Sequence, residues 1–532
     1  MSATFAPDVL SPNNPVTADS VLSTFSKLGL SPPAKDQVDD YTSLLAGIWE
    51  VWDKVDKMED YVPSVDEERF PRTEVHRPEG EENAHNAWAW KATVRDVKGS
   101  GGLLEGKTVC LKDNIALKGV PCLLGTETFT DWTPNTDATV VTRILEAGGI
   151  IQGKAVCENL SLWGVSCSAA TGPISNVHAP GYSAGGSSSG TASLVGHGEV
   201  DLGLGGCQGG SIRIPCSKNG LVGMKATTGL VPYTGIASLE PILDHVGPMT
   251  RTVLDNALLL QAIAGADNID DRSQAGCPLP SDVPDYPSLA KGGIKGLRVG
   301  IITESLTRPL HDSRVSDLVV RAAQAFKGLG AEVVEEVSVP MHCDAPDLWA
   351  VIGRLSATST LLGKGSGRRG LCMNDLTEKM LPLKQESLDK MFCSGVNTLV
   401  NGVWGLEHLP PTLLGKATNL VRKLRDSYYL ALDKYDVLIT PTLPMLAQKL
   451  PPLNGTIKEY MENAQGVSMN TSAFNLTGMP ALSLPIGFLP SLQDPQVNLP
   501  VGMQIVGKFY SEATIYKVAY AWEQANFWKT FA

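Results

Sequence analysis

The stretch from Gly185 to Pro215 constrains this chain most, because it holds two glycine-rich turns that both present serines. It reads GGSSSGTASLVGHGEVDLGLGGCQGGSIRIP. Glycine lets one backbone segment approach another closely and permits positive φ, so the second turn can direct several amide N–H groups at one point. The stretch therefore predicts a tightly packed anion or oxyanion site.

Segments of alternating strand and helix character surround this stretch. Residues 107–111 predict a strand, 140–147 a helix and 150–151 the next strand. Further along, 297–339 reads as strand, helix and strand, and 481–506 as two paired strands. Alternation of this kind predicts an α/β fold layered around a largely buried sheet.

The chain of 532 residues is long enough for one large domain with an appendage. Residues 1–95 are acidic and punctuated by prolines, and they predict a separate helical segment. Residues 96–532 then form the main domain, with a mostly helical covering insertion at about 340–430. Apolar residues recur on one helical face of the first segment, where a second chain could dock to form a dimer; these are Val38, Tyr41, Leu45, Ile48, Trp52 and Val55.

Charge and cysteine usage exclude several classes of protein. The net charge of −12 argues against a nucleic-acid partner, since such affinity rests on Lys and Arg. No run approaches the roughly 18 apolar residues of a membrane span, and the first residues do not resemble a signal peptide. The ten cysteines lack a CxxC pair, which favours free thiols. We therefore expect a cytoplasmic protein.

Two serines compete as nucleophile, and each needs a base to accept its proton. Ser188 fits the G-x-S-x-G elbow of α/β-hydrolases, with Asp244 or Asp312 and His408 as partners, but this motif needs a preceding strand and 178–182 does not read as one. The other candidate is Ser211, in the second turn.

Lys112 is the candidate base for Ser211. It ends an apolar strand, where burial would favour the neutral amine that can accept a proton. Amides of Gln208, Gly209, Gly210 and Ser211 could meet the oxyanion. No dinucleotide or nucleotide loop is complete, and no His or Cys cluster has metal-ligand spacing, so no cofactor or metal is expected.

Taken together, these residues resemble the amidase signature family, most closely its broad-specificity amidases associated with nitrile metabolism. The hallmark runs from Gly185–Gly190 through Gly209–Pro215, and the similarity spans about 106–506. The resemblance implies a mixed central sheet covered by helices on both faces, with an N-terminal helical extension. It also implies a hydrolase that cleaves carboxylic amides to acid plus ammonia or amine, acting on small molecules as a homodimer.

The resemblance implies a Ser-cisSer-Lys triad. On the matching positions Ser211 is the nucleophile, Ser187 the bridging serine after a cis peptide bond, and Lys112 the base, with an acyl-enzyme as intermediate. Ser188 and Arg213 support the site. The family usually has an acidic residue where this chain has Cys207, which leaves Arg213 in need of another partner.

Alignment with the family suggests Ser161, Leu162, Trp163 and Ile236 as substrate-facing residues, with the rest of the segment 236–242 and the loop after Val467 as further candidates. Because the same triad can attack other acyl groups, a carbamate or ester hydrolase is an alternative. A catalytically weakened binding relative is another, because of Cys207. The amidotransferase role that some relatives have on charged tRNA fits the acidic composition less well.

Overall fold

The computed structural model describes residues 10–99, 101–128, 132–273, 276–365 and 367–531. The chain divides into two compact units, Met1–Pro63 and Ser64–Ala532.

The helices of the described residues are short to medium in length. They are α1 Ala18–Lys27, α2 Lys35–Asp56, α3 Thr139–Glu146, α4 Ser189–His197, α5 Arg213–Asn219, α6 Val253–Ile263, α7 Tyr286–Ala290, α8 Ser313–Ala325, α9 Ala345–Leu361, α10 Asn374–Met380, α11 Gln385–Asp389, α12 Cys393–His408, α13 Leu413–Leu432, α14 Ile457–Asn463, α15 Ser472–Thr477 and α16 Glu512–Ala525.

The strands of the described residues all lie in the second unit. They are β1 Arg72–His76, β2 Trp88–Val94, β3 Thr108–Lys112, β4 Ile150–Ala155, β5 Ser175–Asn176, β6 Ala179–Ser183, β7 Leu202–Cys207, β8 Val222–Lys225, β9 His245–Thr250, β10 Arg298–Ile302, β11 Val333–Val337, β12 Val437–Pro441, β13 Ala481–Pro490 and β14 Asn498–Val506.

Twelve strands form one mixed sheet in the order β1-β2-β4-β3-β7-β9-β8-β13-β14-β12-β10-β11, and β5 and β6 form a separate hairpin. Strand β3 pairs in parallel with β4 and β7, and β10 with β11 and β12. The remaining pairs in the sheet are antiparallel. The α/β fold with a mixed central sheet is therefore confirmed.

Helices flank the sheet on both faces, as the alternation of side chains along β3 illustrates. Val109 and Leu111 pack in one core cluster with residues of α3, α6 and α16. Cys110 points to the other face and packs with residues of α4 and α5. Because side chains alternate with a period of two, Lys112 is placed on the face of Cys110. The base candidate thus lies on the α4 side of the sheet.

The boundary between the two units differs from the predicted division at residue 95. The structure divides the chain after Pro63, and β1 and β2 join the sheet of the second unit. Four of the five residues of β1 are exposed, so this edge strand has no apolar pattern from which it could be read. The first unit contains helices α1 and α2, which are in contact through Phe25 and Tyr41.

A second correction concerns the segment before the first glycine turn. Residues 178–182 were not expected to form a strand, but β6 covers Ala179–Ser183. Pro180 and Gly181 are unfavourable in strands, and β6 is held by its short pairing with β5. Since this hairpin is separate from the central sheet, it does not provide the sheet strand that a nucleophile elbow requires.

The packing of β12 against the helices of 345–432 generates a first prediction. Leu438 is fully buried in a cluster with residues of α9 and α13. Leu438→Ala should lower the free energy of unfolding by about 2–5 kcal/mol, because a cavity replaces the lost side chain. Leu430→Ala is the matched control, since Leu430 is 70% exposed on α13. Urea unfolding measures both, and equal effects would contradict the packing.

Candidate active site

Lys112 is a fully buried lysine at the end of β3. Its Nζ donates to Ser187 Oγ at 2.8 Å and to Gly206 O at 3.2 Å. Burial lowers the pKa of Lys112 to about 8. The amine can therefore change its charge close to neutral pH, with Ser187 as its hydrogen-bonded neighbour.

Ser187 lies in a backbone arrangement that only a glycine can precede. The peptide bond between Gly186 and Ser187 is cis. A Cβ on Gly186 would lie 2.5 Å from the carbonyl oxygen of Trp163, so the close approach of the two backbones excludes a side chain. Ser187 O accepts from the amide of Glu158 at 3.0 Å. These contacts fix the backbone at Ser187, whose hydroxyl accepts from Lys112.

Three carbonyl groups of the second turn, those of residues 208–210, accept hydrogen bonds from outside the turn. Gln208 O accepts from Trp349 Nε1 at 2.9 Å, and Gly209 O accepts from Thr471 Oγ1 at 2.6 Å. Gly210 O accepts from the amide of Ile214 at 2.7 Å. The carbonyls are thus held by their own partners.

The amides of the same turn are free to receive an acceptor. Across the described ranges, the N–H groups of residues 208–211 donate to no backbone or side-chain acceptor. Gly210 has a φ of 146°, which a residue with a side chain rarely adopts. Ser211 is 8% exposed, and its hydroxyl has no hydrogen-bond partner among the described residues. The turn therefore offers an unoccupied hydroxyl beside unoccupied donors.

Gln208 is held by its side chain as well as by its carbonyl. Its Nε2 donates to Tyr233 Oη at 3.2 Å and to Asp244 Oδ1 at 3.1 Å. Asp244 also accepts from Arg272. This network anchors the start of the turn to the segment around residue 240.

A cavity of about 90 Å³ opens at Ser211. Most of its wall is apolar, and a buried carboxyl and a guanidinium also reach it. The wall is formed by Ser161, Leu162, Trp163, Gly164, Gln208, Gly209, Ser211, Ile214, Leu239, Glu240, Leu243, Trp349, Gly353, Arg354, Ala357, Val467 and Ser468. A small apolar group next to a carbonyl at Ser211 would fit such a cavity.

The structure places three of the four candidate substrate-facing residues in this wall, namely Ser161, Leu162 and Trp163. Ile236 is not among them. It is packed in the core and lines a neighbouring cavity of about 290 Å³. Of the candidate segment 236–242, Leu239 and Glu240 line the cavity at Ser211 in place of Ile236.

Several residues of the cavity wall belong to no recognisable sequence motif. Trp349, Gly353 and Ala357 recur every four residues on α9, which is the ordinary spacing of a packed helix face. That spacing marks one face of α9 but does not distinguish a cavity wall from a core contact. Burial lowers the pKa of Arg354 and raises the pKa of Glu240 to about 7.

The alternative catalytic set, Ser188 with Asp244 or Asp312 and His408, is not brought together in the structure. Ser188 is fully buried, and its Oγ donates to Gly206 O at 3.1 Å. Asp244 accepts from Gln208, whereas Asp312 caps the start of α8 and His408 ends α12. Ser188 thus supports the packing of α4 against β7.

Arg213 has hydrogen-bond acceptors although position 207 does not carry an acidic residue. Its Nη1 donates to Gln504 Oε1 at 2.6 Å, and Nη2 donates to Asn475 Oδ1 at 2.5 Å. Both amides belong to the C-terminal part of the chain. They connect α5 to β14 and α15.

The described residues offer neither a metal cluster nor a membrane-spanning helix. Within those ranges no three His, Cys, Asp or Glu side chains are grouped so that they could hold a metal ion. None of the described helices combines the length and the apolar character needed to cross a membrane.

Comparison with known proteins agrees with the geometry of the site. The model of the family described as Amidase matches residues 74–516. An enantioselective amidase of Rhodococcus rhodochrous is 38% identical over 493 residues, covering 88% of this chain and 92% of that relative. A glutamyl-tRNA(Gln) amidotransferase subunit of Moorella thermoacetica is 34% identical over 432 residues, covering 80% of this chain and 84% of that relative.

The fold is shared with solved structures of the same family. The corresponding glutamyl-tRNA(Gln) amidotransferase subunit of Thermotoga maritima has a TM-score of 0.64 and 28% identity, covering 80% of this chain and 85% of that structure. The chain therefore belongs to the amidase signature family and is an amidase.

Proposed function

We propose that this amidase hydrolyses carboxylic amides to the acid and ammonia or an amine, with Ser211 as nucleophile, Ser187 as relay and Lys112 as base. The observation that carries the proposal is the 2.8 Å hydrogen bond from Lys112 Nζ to Ser187 Oγ in a fully buried position. Lys112 also donates to Gly206 O, in the strand that leads to Ser211. The lysine thus contacts the first glycine-rich turn and the strand that precedes the second.

The proton moves from Ser211 to Lys112 by way of Ser187. In its neutral form Lys112 Nζ accepts the Ser187 proton, and Ser187 Oγ takes the proton of Ser211 as the latter attacks the amide carbon. The pKa of Lys112, lowered by burial to about 8, makes the neutral amine available. The Ser211 hydroxyl has no hydrogen-bond partner among the described residues, so the relay requires it to turn toward Ser187 Oγ as it attacks.

The tetrahedral oxyanion is stabilised by the amides of residues 208–211. The carbonyls of residues 208–210 accept hydrogen bonds from Trp349, Thr471 and Ile214. These bonds hold the peptide groups of the turn, so that its N–H groups point away from those partners. Donors fixed before the reaction need no reorganisation when charge develops, and each is worth about 3 kcal/mol in the transition state.

The reaction then passes through an acyl-enzyme. The C–N bond breaks, the proton held by Lys112 returns through Ser187 to the leaving nitrogen, and the acyl group stays on Ser211 Oγ. Water gives a proton to the same relay, attacks the ester, and releases the acid and the Ser211 hydroxyl.

The substrate class follows from the cavity at Ser211. Its largely apolar wall favours a small aliphatic or aromatic acyl group over a charged macromolecule. The net charge of −12 likewise supports a small-molecule amide over the charged tRNA named for the amidotransferase relatives. Carbamates and esters remain alternatives with the same acyl-enzyme chemistry.

A second copy of this chain is the partner that we propose for the first unit. On α2, Trp52 and Val55 are 56% and 58% exposed, and Tyr41 is 45% exposed. These side chains belong to the apolar face predicted from the sequence, and a homodimer would cover them. The cytoplasmic location stays a prediction from the sequence.

Ser211→Ala should lower kcat on benzamide by about 10⁴-fold or more, because no acyl-enzyme can form. The same variant is to be tested on a panel of aliphatic amides, esters and carbamates, which also identifies the preferred acyl compound. Ser188→Ala is the matched control: it loses one hydrogen bond and should stay within about tenfold of the wild type. Turnover of any panel compound by Ser211→Ala at the wild-type rate would overturn the assignment.

The base role of Lys112 predicts how activity depends on pH. Only the neutral amine accepts a proton, and its fraction rises as pH increases through the pKa of about 8. We expect kcat/KM to rise with pH and to level off above this value. A profile that is flat or falling through pH 8 would contradict the role of Lys112.

Gly210→Ala tests the geometry of the turn. An added Cβ would collide with Thr471 Oγ1, and the φ of Gly210 disfavours a side chain. We expect kcat to fall by about 10²–10³-fold, because the displaced amides no longer meet the oxyanion. Gly415→Ala on α13 is the control, since its Cβ would meet nothing within 4 Å and activity should not change.

A further inference from the structure

Cys207 and Arg213 are in contact at the two ends of the segment that carries the turn at 208–211. Cys207 is the last residue of β7 and Arg213 the first residue of α5, and both are fully buried. Arg213 Nη2 lies 3.6 Å from Cys207 Sγ. The contact therefore links the residue just before the turn to a residue just after it.

The other hydrogen-bond partners of Arg213 are neutral. They are the side-chain amides of Gln504 and Asn475, and Arg213 Nε is buried with no hydrogen-bond partner among the described residues. Within the described ranges, Cys207 Sγ is the one group in contact with Arg213 that could carry a negative charge. A guanidinium does not give up its proton in a protein, so this buried cation needs a counter-charge.

The remaining ionisable groups around the pair do not provide that charge. Lys225 on β8 and His245 on β9 are cations when protonated, and burial lowers the pKa of each well below its usual range. Burial raises the pKa of Cys216 on α5 well above its usual value, so it stays a thiol. Lys112 on β3, whose pKa burial lowers to about 8, is likewise a cation when protonated.

We propose that Cys207 is ionised in the folded protein and that its thiolate is the counterion of Arg213, holding residues 208–211 in their turn. The acidic residue that the family usually carries at this position is thereby replaced by sulfur. Asn475 Nδ2 donates to Cys207 O at 2.9 Å and lies 3.4 Å from Sγ, while its Oδ1, which accepts from Arg213, lies 3.5 Å from Sγ.

The surroundings of the sulfur agree with this charge state. Burial alone raises the pKa of Cys207, but the charge of Arg213, its hydrogen bond and the amide of Ile212 outweigh burial and leave the pKa below its usual value. Seven other cysteines have raised pKa values; these are Cys110, Cys122, Cys157, Cys167, Cys216, Cys277 and Cys393. Cys207 thus differs from every other buried thiol described.

The thiolate also acts on the lysine of the site. A negative charge at Cys207 raises the pKa of Lys112, opposing the effect of burial. Removing it leaves Arg213 uncompensated, and both changes favour the neutral amine. Cys207 is thus a positioning residue that also sets the pH at which Lys112 loses its proton. The ionisation of Cys207 is independent of the proposed function, whereas this effect rests on Lys112 being the base.

Ultraviolet difference spectra test the ionisation, because a thiolate has an absorption band that a thiol lacks. At neutral pH, wild type minus Cys207→Ser should show about one thiolate per chain. Wild type minus Cys216→Ser is the matched control and should show none. If Cys207→Ser does not fold, wild type minus Cys207→Asp gives the same comparison. A difference spectrum without the band would overturn the proposal.

The dependence of kcat/KM on pH tests the action on the site. For Cys207→Ser the midpoint should move to lower pH by about one unit, while Cys207→Asp, which keeps the negative charge, should stay near the wild type. A midpoint unchanged in Cys207→Ser would overturn the electrostatic role. If the wild type itself shows no transition near pH 8, the proposed base is wrong, and the spectra still decide the state of Cys207.

Discussion

The full burial of Lys112 is the constraint on which the rest of the site depends. A buried amine needs hydrogen-bond acceptors in place of water, and Ser187 Oγ and Gly206 O supply them. They reach it because α4 and β7 pack closely: a Cβ on Gly203 would lie 2.5 Å from Thr191. The glycines of the hallmark stretch therefore allow two segments to close around one amine.

The orientation of the second turn depends on residues far away in the sequence. Trp349 of α9 binds the carbonyl of Gln208, and Thr471 binds the carbonyl of Gly209. These two hydrogen bonds fix the carbonyls, and the amides of residues 208–211 have no hydrogen-bond acceptor among the described residues. The helices of 345–432 thus contribute to the site directly, since α9 supplies both a cavity wall and a hydrogen bond to the turn.

Elements with a local signal could be predicted from the sequence, whereas those held by tertiary contacts could not. The strand ending at Lys112 and the pair β13 and β14 are apolar runs that remain strands wherever they pack. Strand β1 is polar and mostly exposed, and it is a strand because it pairs with β2. The catalytic serines belong to the hallmark motif and Lys112 ends an apolar strand, but Trp349 on α9 joins Ser211 in the cavity wall only through the fold.

A thiolate can replace a carboxylate next to Arg213 only if other residues of the pocket accept the short hydrogen bonds that the carboxylate would have accepted. A carboxylate offers two oxygens that accept short hydrogen bonds, whereas the sulfur of Cys207 lies 3.6 Å from Nη2 and accepts weakly. The short bonds from Arg213 to Gln504 and Asn475 supply the directional contacts that sulfur does not. Cys207 then supplies the negative charge, and the side-chain amides of Gln504 and Asn475 supply the directional hydrogen bonds. The two ends of the turn are thus held together by an ion pair and by a neutral hydrogen-bond network.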